Sequence, residues 1–225
     1  MPDRFSAGYQ EVCGQVAAEF ERNLAIHGDR IHCCRGCSQC CYQLFQITEI
    51  EAAVISRAVK TMPETEREDL RARARAYLPQ REAIVRQHGM IEAWGRLPPE
   101  GTRLACPALS DDGACRIYEH RPLICRKFGI PLYNPQKPGQ VFACELNFSA
   151  GEEITDGQLV QIQTGIYDRW KRVQDEYNRA GGRRHEQPIT VARAILEDFE
   201  GYLPAARRGD DGATGRQADY GEGAT

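Results

Sequence analysis

The sequence predicts a mainly α protein whose helices pack around an irregular, cysteine-rich segment with at most short strands. Three observations predict it. Apolar residues recur at spacings of three and four on both sides of the chain's middle. Residues 96–150 instead crowd together seven prolines, at 98, 99, 107, 122, 131, 135 and 138, with several glycines. Nine of the ten cysteines lie in that stretch or in a short run, "HCCRGCSQCC", ahead of it.

Taken in order, Tyr9, Val12, Val16, Phe20 and Leu24 form one stripe of a helix over 9–27, with Gly28 as its stop. "TEIE" at 48–51 is a capping box that opens a helix to about Lys60, with Ile50, Val54 and Ala58 inward. Pro63 suits the first turn of a third helix through "EREDLRARARAYL", and Pro79 is expected to end or kink it, with a further helical piece over about 80–94. Within 96–150, "GIPLY" and "QVFAC" are the candidate strands. "TDGQ" at 155–158 reads as a second capping box before the stripe Leu159, Ile162, Ile166, Trp170, Val173 and Tyr177, which stops at Gly181 and Gly182. A last helix over about 190–202 presents Val191, Ile195, Phe199 and Tyr202 and stops before Pro204. The expected organisation is one domain over 1–204 and a disordered tail over 205–225, where apolar residues almost vanish.

Composition narrows the function. The chain has 225 residues, 41% hydrophobic and 27% charged, with a net charge of −3. It can bury a proper core, and its charge gives no general pull toward nucleic acid or an anionic membrane. No apolar run approaches signal-peptide or membrane-span length, so the expected location is the cytoplasm. Disulfides are disfavoured in that reducing compartment, and ten cysteines then point to metal or redox chemistry. The neighbours Cys33-Cys34 and Cys40-Cys41 cannot each close a relaxed disulfide, because adjacent Cα atoms lie only about 3.8 Å apart.

The first cluster reads C-C-x2-C-x2-C-C at Cys33, Cys34, Cys37, Cys40 and Cys41. The second reads C-x8-C-x9-C-x18-C at Cys106, Cys115, Cys125 and Cys144. C-x2-C spacing lets two thiolates reach one ion from a tight turn, which Gly36 eases. Tetrahedral zinc takes four such ligands, and iron–sulfur clusters also use four cysteines. The clusters are compatible with one four-thiol site, two such sites or a polynuclear centre, and the vicinal Cys40-Cys41 favours more than one metal. Arg35, Arg116, Arg121, Arg126 and Lys127 stand close in sequence to these cysteines and would offset their charge. The spacing Cys33-x3-Cys37-x2-Cys40 matches radical enzymes that use S-adenosylmethionine. Here Gln39 replaces the usual aromatic before the third cysteine, and the strands for a barrel are missing.

"CCRGCSQCC" followed by "CPALSDDGACRIYEHRPLICRKFG" resembles the CxxCxxCC, or YkgJ-like, cysteine-cluster family, a zinc- or iron-chelating domain. The resemblance covers about 33–130. It implies a metal site of Cys34, Cys37, Cys40, Cys41, Cys106, Cys115 and Cys125, with Cys33 as an alternative first ligand and Cys144 outside the core motif. A similar cysteine pattern is found in flagellin lysine methylases, where an iron–sulfur cluster is implied, but the rest of that larger enzyme has no counterpart here.

The expected function is a metal-binding protein that holds zinc or iron, with an iron–sulfur cluster as one form of the cofactor. The alternatives are an iron–sulfur redox protein or enzyme component related to those methylases, and a zinc-stabilised interaction module that uses the arginine-rich helix. Residues for catalysis are not identified. The expected partner is the metal ion, with no membrane and no nucleic acid. Cys13 is expected to be a buried small hydrophobe, and His32 and His120 to be non-ligands. Arg121 and Arg126 are candidates to orient a thiolate. Glu49 and Glu51 are expected to cap a helix.

Overall fold

A computed structural model describes residues 3–34, 36–88 and 101–204. The expected tail over 205–225, part of the expected 80–94 helix and Arg35 lie outside the described residues. The protein is mainly helical, with one two-stranded antiparallel sheet among the described residues.

Helix α1 spans Arg4–His27. Its N-cap is Asp3, whose carboxylate accepts from the Phe5 and Ser6 amides at 3.0 and 2.9 Å. Gly28 ends it at φ 52°, a left-handed conformation that glycine reaches without a Cβ clash. Helix α2, Glu49–Thr61, carries the expected capping box, with Thr48 and Glu51 bonded reciprocally. Helix α3, Glu64–Gln87, runs continuously through Pro79, against the expectation of a break. Its inward residues Leu70, Ala74, Tyr77 and Arg81 keep helical spacing across the proline, while Pro79 itself is exposed. The hydrogen bond that the ring removes is therefore lost on the solvent side, where water can replace it. The arginine-rich face pairs with acids: Arg67 with Glu64, Arg71 with Glu68, and Arg73 with Asp69 and Asp111.

A five-residue helix α4, Leu123–Lys127, lies in the irregular stretch. Strands β1, Leu132–Tyr133, and β2, Val141–Phe142, fall within the two predicted segments and pair antiparallel. Helix α5, Leu159–Arg179, follows without the predicted cap at Thr155. Asp156 is drawn instead to Arg22, and its carboxylate accepts from the Gln158 amide at 3.0 Å. The last predicted helix is shorter. Helix α6 covers Val191–Leu196 behind a Thr190 cap, and a separate 3-10 turn follows at Glu200–Tyr202. Between them the Ser56 hydroxyl accepts from the Phe199 amide and donates to the carbonyls of Ala194 and Glu197. These side-chain bonds satisfy backbone groups that a continuous helix would have paired internally.

Three apolar cores position everything else. The first joins α2, α3 and α6 around Ile55, Leu70, Ala192, Ile195 and Phe199. The second joins α1, α2 and α5 around Tyr9, Val12, Ile50, Val173 and Tyr177, and it includes Cys13. The third is small and holds Ile31, Ile130 and Phe148. No helix of the described residues is long and apolar enough to cross a membrane.

Candidate metal centre

The two cysteine clusters face one cavity of about 640 Å³. Its lining includes Cys33, Cys34, Cys37, Cys40, Cys41, Cys106, Cys115, Cys125 and Cys144. Cys13 is absent from that lining and sits in the second core beside Tyr9. All ten cysteines are free thiols.

Local structure explains the convergence. Cys40 and Cys41 lie in a 3-10 turn, Gln39–Tyr42. The Cys106 amide donates to the Cys41 carbonyl at 2.7 Å, which ties the second cluster to the first. The loop after Cys106 folds back on itself. Ser110 N–H donates to Ala114 O and Arg116 N–H to Ala108 O, both at 2.8 Å, so Cys115 returns alongside Leu109. Gly36 and Gly113 both take positive φ where the two loops touch, and a Cβ on Gly113 would lie 3.4 Å from the Gly36 carbonyl oxygen. Pro122 opens α4, which presents Cys125. Glu51 pins that helix, because its Oε1 accepts from the Leu123 amide at 2.9 Å while Oε2 accepts from Thr48. Cys144 follows β2 and is buried.

Burial raises most of these thiols. It pushes Cys33 to about 11 and Cys106 to about 12, and it also raises Cys115, Cys125 and Cys144. Neighbouring thiolates add to the rise through repulsion. Cys40 moves the other way. The Cys41 thiol donates to it and Arg121 lies near, so its thiolate is favoured while Cys41 is held protonated. Among the described residues, no group of three or more Cys, His, Asp or Glu side chains stands close enough to hold an ion in the positions they take. Closing a coordination shell therefore requires thiol rotations and loss of protons.

Of the cations near the cysteines in sequence, Arg121 and Arg126 line the cavity. Arg116 is drawn away to Asp69, and Lys127 is half-buried with Glu51 as its charged neighbour. Arg126 donates to the Arg121 and Glu119 carbonyls, and Arg121 lies over the Tyr118 ring at 3.8 Å. Their hydrogen bonds and ring contact thus shape the backbone around Pro122. The Arg121 Nε is buried without a hydrogen-bond partner, a cationic group whose cost an anionic thiolate centre would offset. His120 is exposed, and the backbone amide of His32 donates to Asn147.

Asn147 is the residue that sequence reasoning missed. It is 4% exposed, and its Nδ2 lies 3.7 Å from Cys33 Sγ and donates to the Gly129 carbonyl. Its Oδ1 accepts from the His32 amide at 2.8 Å. A Cβ on Gly129 would fall 2.0 Å from Cys33 Sγ, so this glycine leaves the space the sulfur fills. Cys34, next in the chain, is exposed.

A sulfur-rich donor set beside an orphaned guanidinium nitrogen fits zinc or iron, both of which accept four thiolates. Residues 33–139 match the model of the CxxCxxCC family, described as a "putative zinc- or iron-chelating domain". Neither a curated protein nor a solved structure matches the chain.

Proposed function

We propose that the protein holds zinc or iron through Cys33, Cys37, Cys40, Cys41, Cys106, Cys115, Cys125 and Cys144, with Cys34 at the rim, a reading supported by the match of residues 33–139 to the CxxCxxCC family model. The observation that carries this reading is the lining of one cavity by thiols from both clusters. The family description supports zinc or iron chelation, and the sulfur-rich donor set suits either metal. The bound ion would tie together the loops of 101–150, which reach three separate cores through Ile117, Leu123 and Ile130, within one metal-binding unit over 1–204. Thiols raised by burial and free of disulfides suit a reducing compartment such as the cytoplasm.

An iron–sulfur cluster is the finer form of the same reading. Four-cysteine ligation in a cavity with buried, mutually repelling thiols supports it. Purification under nitrogen, with zinc, iron and acid-labile sulfide measured per chain, separates the cases. Zinc without sulfide is the structural or metal-handling outcome. Iron with sulfide and a visible band that bleaches with dithionite is the redox outcome. A folded chain that carries neither metal overturns the proposal.

A further inference from the structure

Eight of the nine cavity thiols fall into two neighbourhoods. Cys33 has Cys37, Cys144 and Cys40 as its charged thiol neighbours, and Cys144 has Cys37 and Cys40. Cys41 has Cys40, Cys106 and Cys115, Cys106 has Cys115 and Cys40, Cys125 has Cys106, Cys40 and Cys115, and Cys115 has Cys40. Cys40 is common to the two sets, and Cys34 is a leading neighbour of none of these.

Hydrogen bonds and packing divide six of these thiols in the same way. The Cys106 amide bonds the Cys41 carbonyl, and Cys106 and Cys115 pack on the first core. Cys33 packs instead on the third core, with Phe20 and Leu24. Asn147 ties it to the segment of Cys144, whose carbonyl accepts from the Asn147 amide at 2.8 Å. The Gln39 side chain, in the turn that carries Cys40, donates to Glu145 beside Cys144. Successive side chains leave a 3-10 turn about 120° apart, since three residues make one turn. Cys40 and Cys41 can therefore serve different ions although their sulfurs stay within hydrogen-bond reach.

We propose that the centre is built for two ions, one on Cys33, Cys37, Cys40 and Cys144 and the other on Cys41, Cys106, Cys115 and Cys125. This rests on the metal-binding reading above. Each set supplies the four thiolates that close a tetrahedral site, and Cys34 is left over. Asn147 acts as a positioning residue that seats Cys33 rather than Cys34 in the first set.

The test is an anaerobic titration of the reduced, metal-stripped full chain with cobalt(II), read by thiolate-to-cobalt absorption, with helix content checked by circular dichroism. The unaltered chain and Cys34→Ser should each take up about two cobalt ions, and Cys144→Ser and Cys125→Ser about one each. Asn147→Ala, which removes no ligand, should weaken one of the two steps about tenfold and leave the other. One ion in the unaltered chain, loss of an ion in Cys34→Ser, or equal weakening of both steps in Asn147→Ala would overturn the two-site division. Failure of the unaltered chain to bind any cobalt would overturn the metal-binding reading with it.

Discussion

Cys33 and Glu51 show how single side chains set the geometry of the centre. Cys33 occupies the space left by Gly129, so Gly129→Ala should displace that sulfur. The expected outcome is weaker binding of one metal equivalent with near-native helix content, measured by metal titration and circular dichroism; unchanged binding would remove Gly129 from the description. Glu51 is buried and accepts from two backbone amides, Thr48 and Leu123. Glu51→Ala leaves both amides unpaired and should cost about 2–4 kcal/mol in urea unfolding, because buried unsatisfied donors carry their full desolvation penalty. His27 gives a pH signature. Both ring nitrogens are buried without partners, and burial first, then Arg30 and Arg22, lower its pKa against the opposing pull of Asp156. The folded value lies below the unfolded value of about 6.5, so the unfolded chain binds the proton more readily. Stability should thus be full above about pH 6.5 and fall as pH drops through the window below it. In His27→Phe, which keeps an aromatic contact with Phe148, that slope should flatten; an identical slope in both chains would contradict the assignment. At this scale the cysteines were legible from spacing. Asn147 was not, since its bond to Cys33 spans 114 residues and follows no local pattern.

Among the elements, the helices with clean apolar periodicity were the legible ones. The Thr48 box and the Tyr9–Val12–Val16 stripe are local features, and local features survive folding. The errors came where a tertiary partner outbid a local one. The Thr155 cap does not form while its neighbour Asp156 pairs with Arg22, Ser56 takes over backbone groups around Leu196, and Pro79 falls on the exposed face of a helix held by Leu70, Ala74 and Tyr77. The two strands fell within predicted segments, but no sequence pattern revealed that the Cys106 amide would bond the Cys41 carbonyl. The segment over 101–150 reaches three separate cores through Ile117, Leu123 and Ile130 with the cysteines between these anchors, so the metal should order what lies between them. Cys37→Ser and Cys115→Ser should therefore expose residues 101–150 to protease far more than Cys13→Ser, which alters a thiol in the second core. Equal cleavage of the three variants would refute a metal-ordered segment.

Across the whole molecule, the mainly helical class followed from periodicity alone, but the meeting of the three cores around the cysteine loops did not. Cys33 leans on the third core and Cys106 and Cys115 on the first, so a bound ion would also join two separate packing units. The stability gained from such a joint depends on metal concentration, as for any ligand that binds only the folded chain. The most direct test compares the unaltered chain with a Cys40→Ser, Cys115→Ser double variant, both purified under nitrogen and dialysed against a weak chelator before metal analysis. The unaltered chain should retain zinc or iron, and the double variant should lose most of it while its α1–α5 helices stay folded. Equal metal content in the two proteins, or none in either, would contradict the claim that these thiols hold the metal.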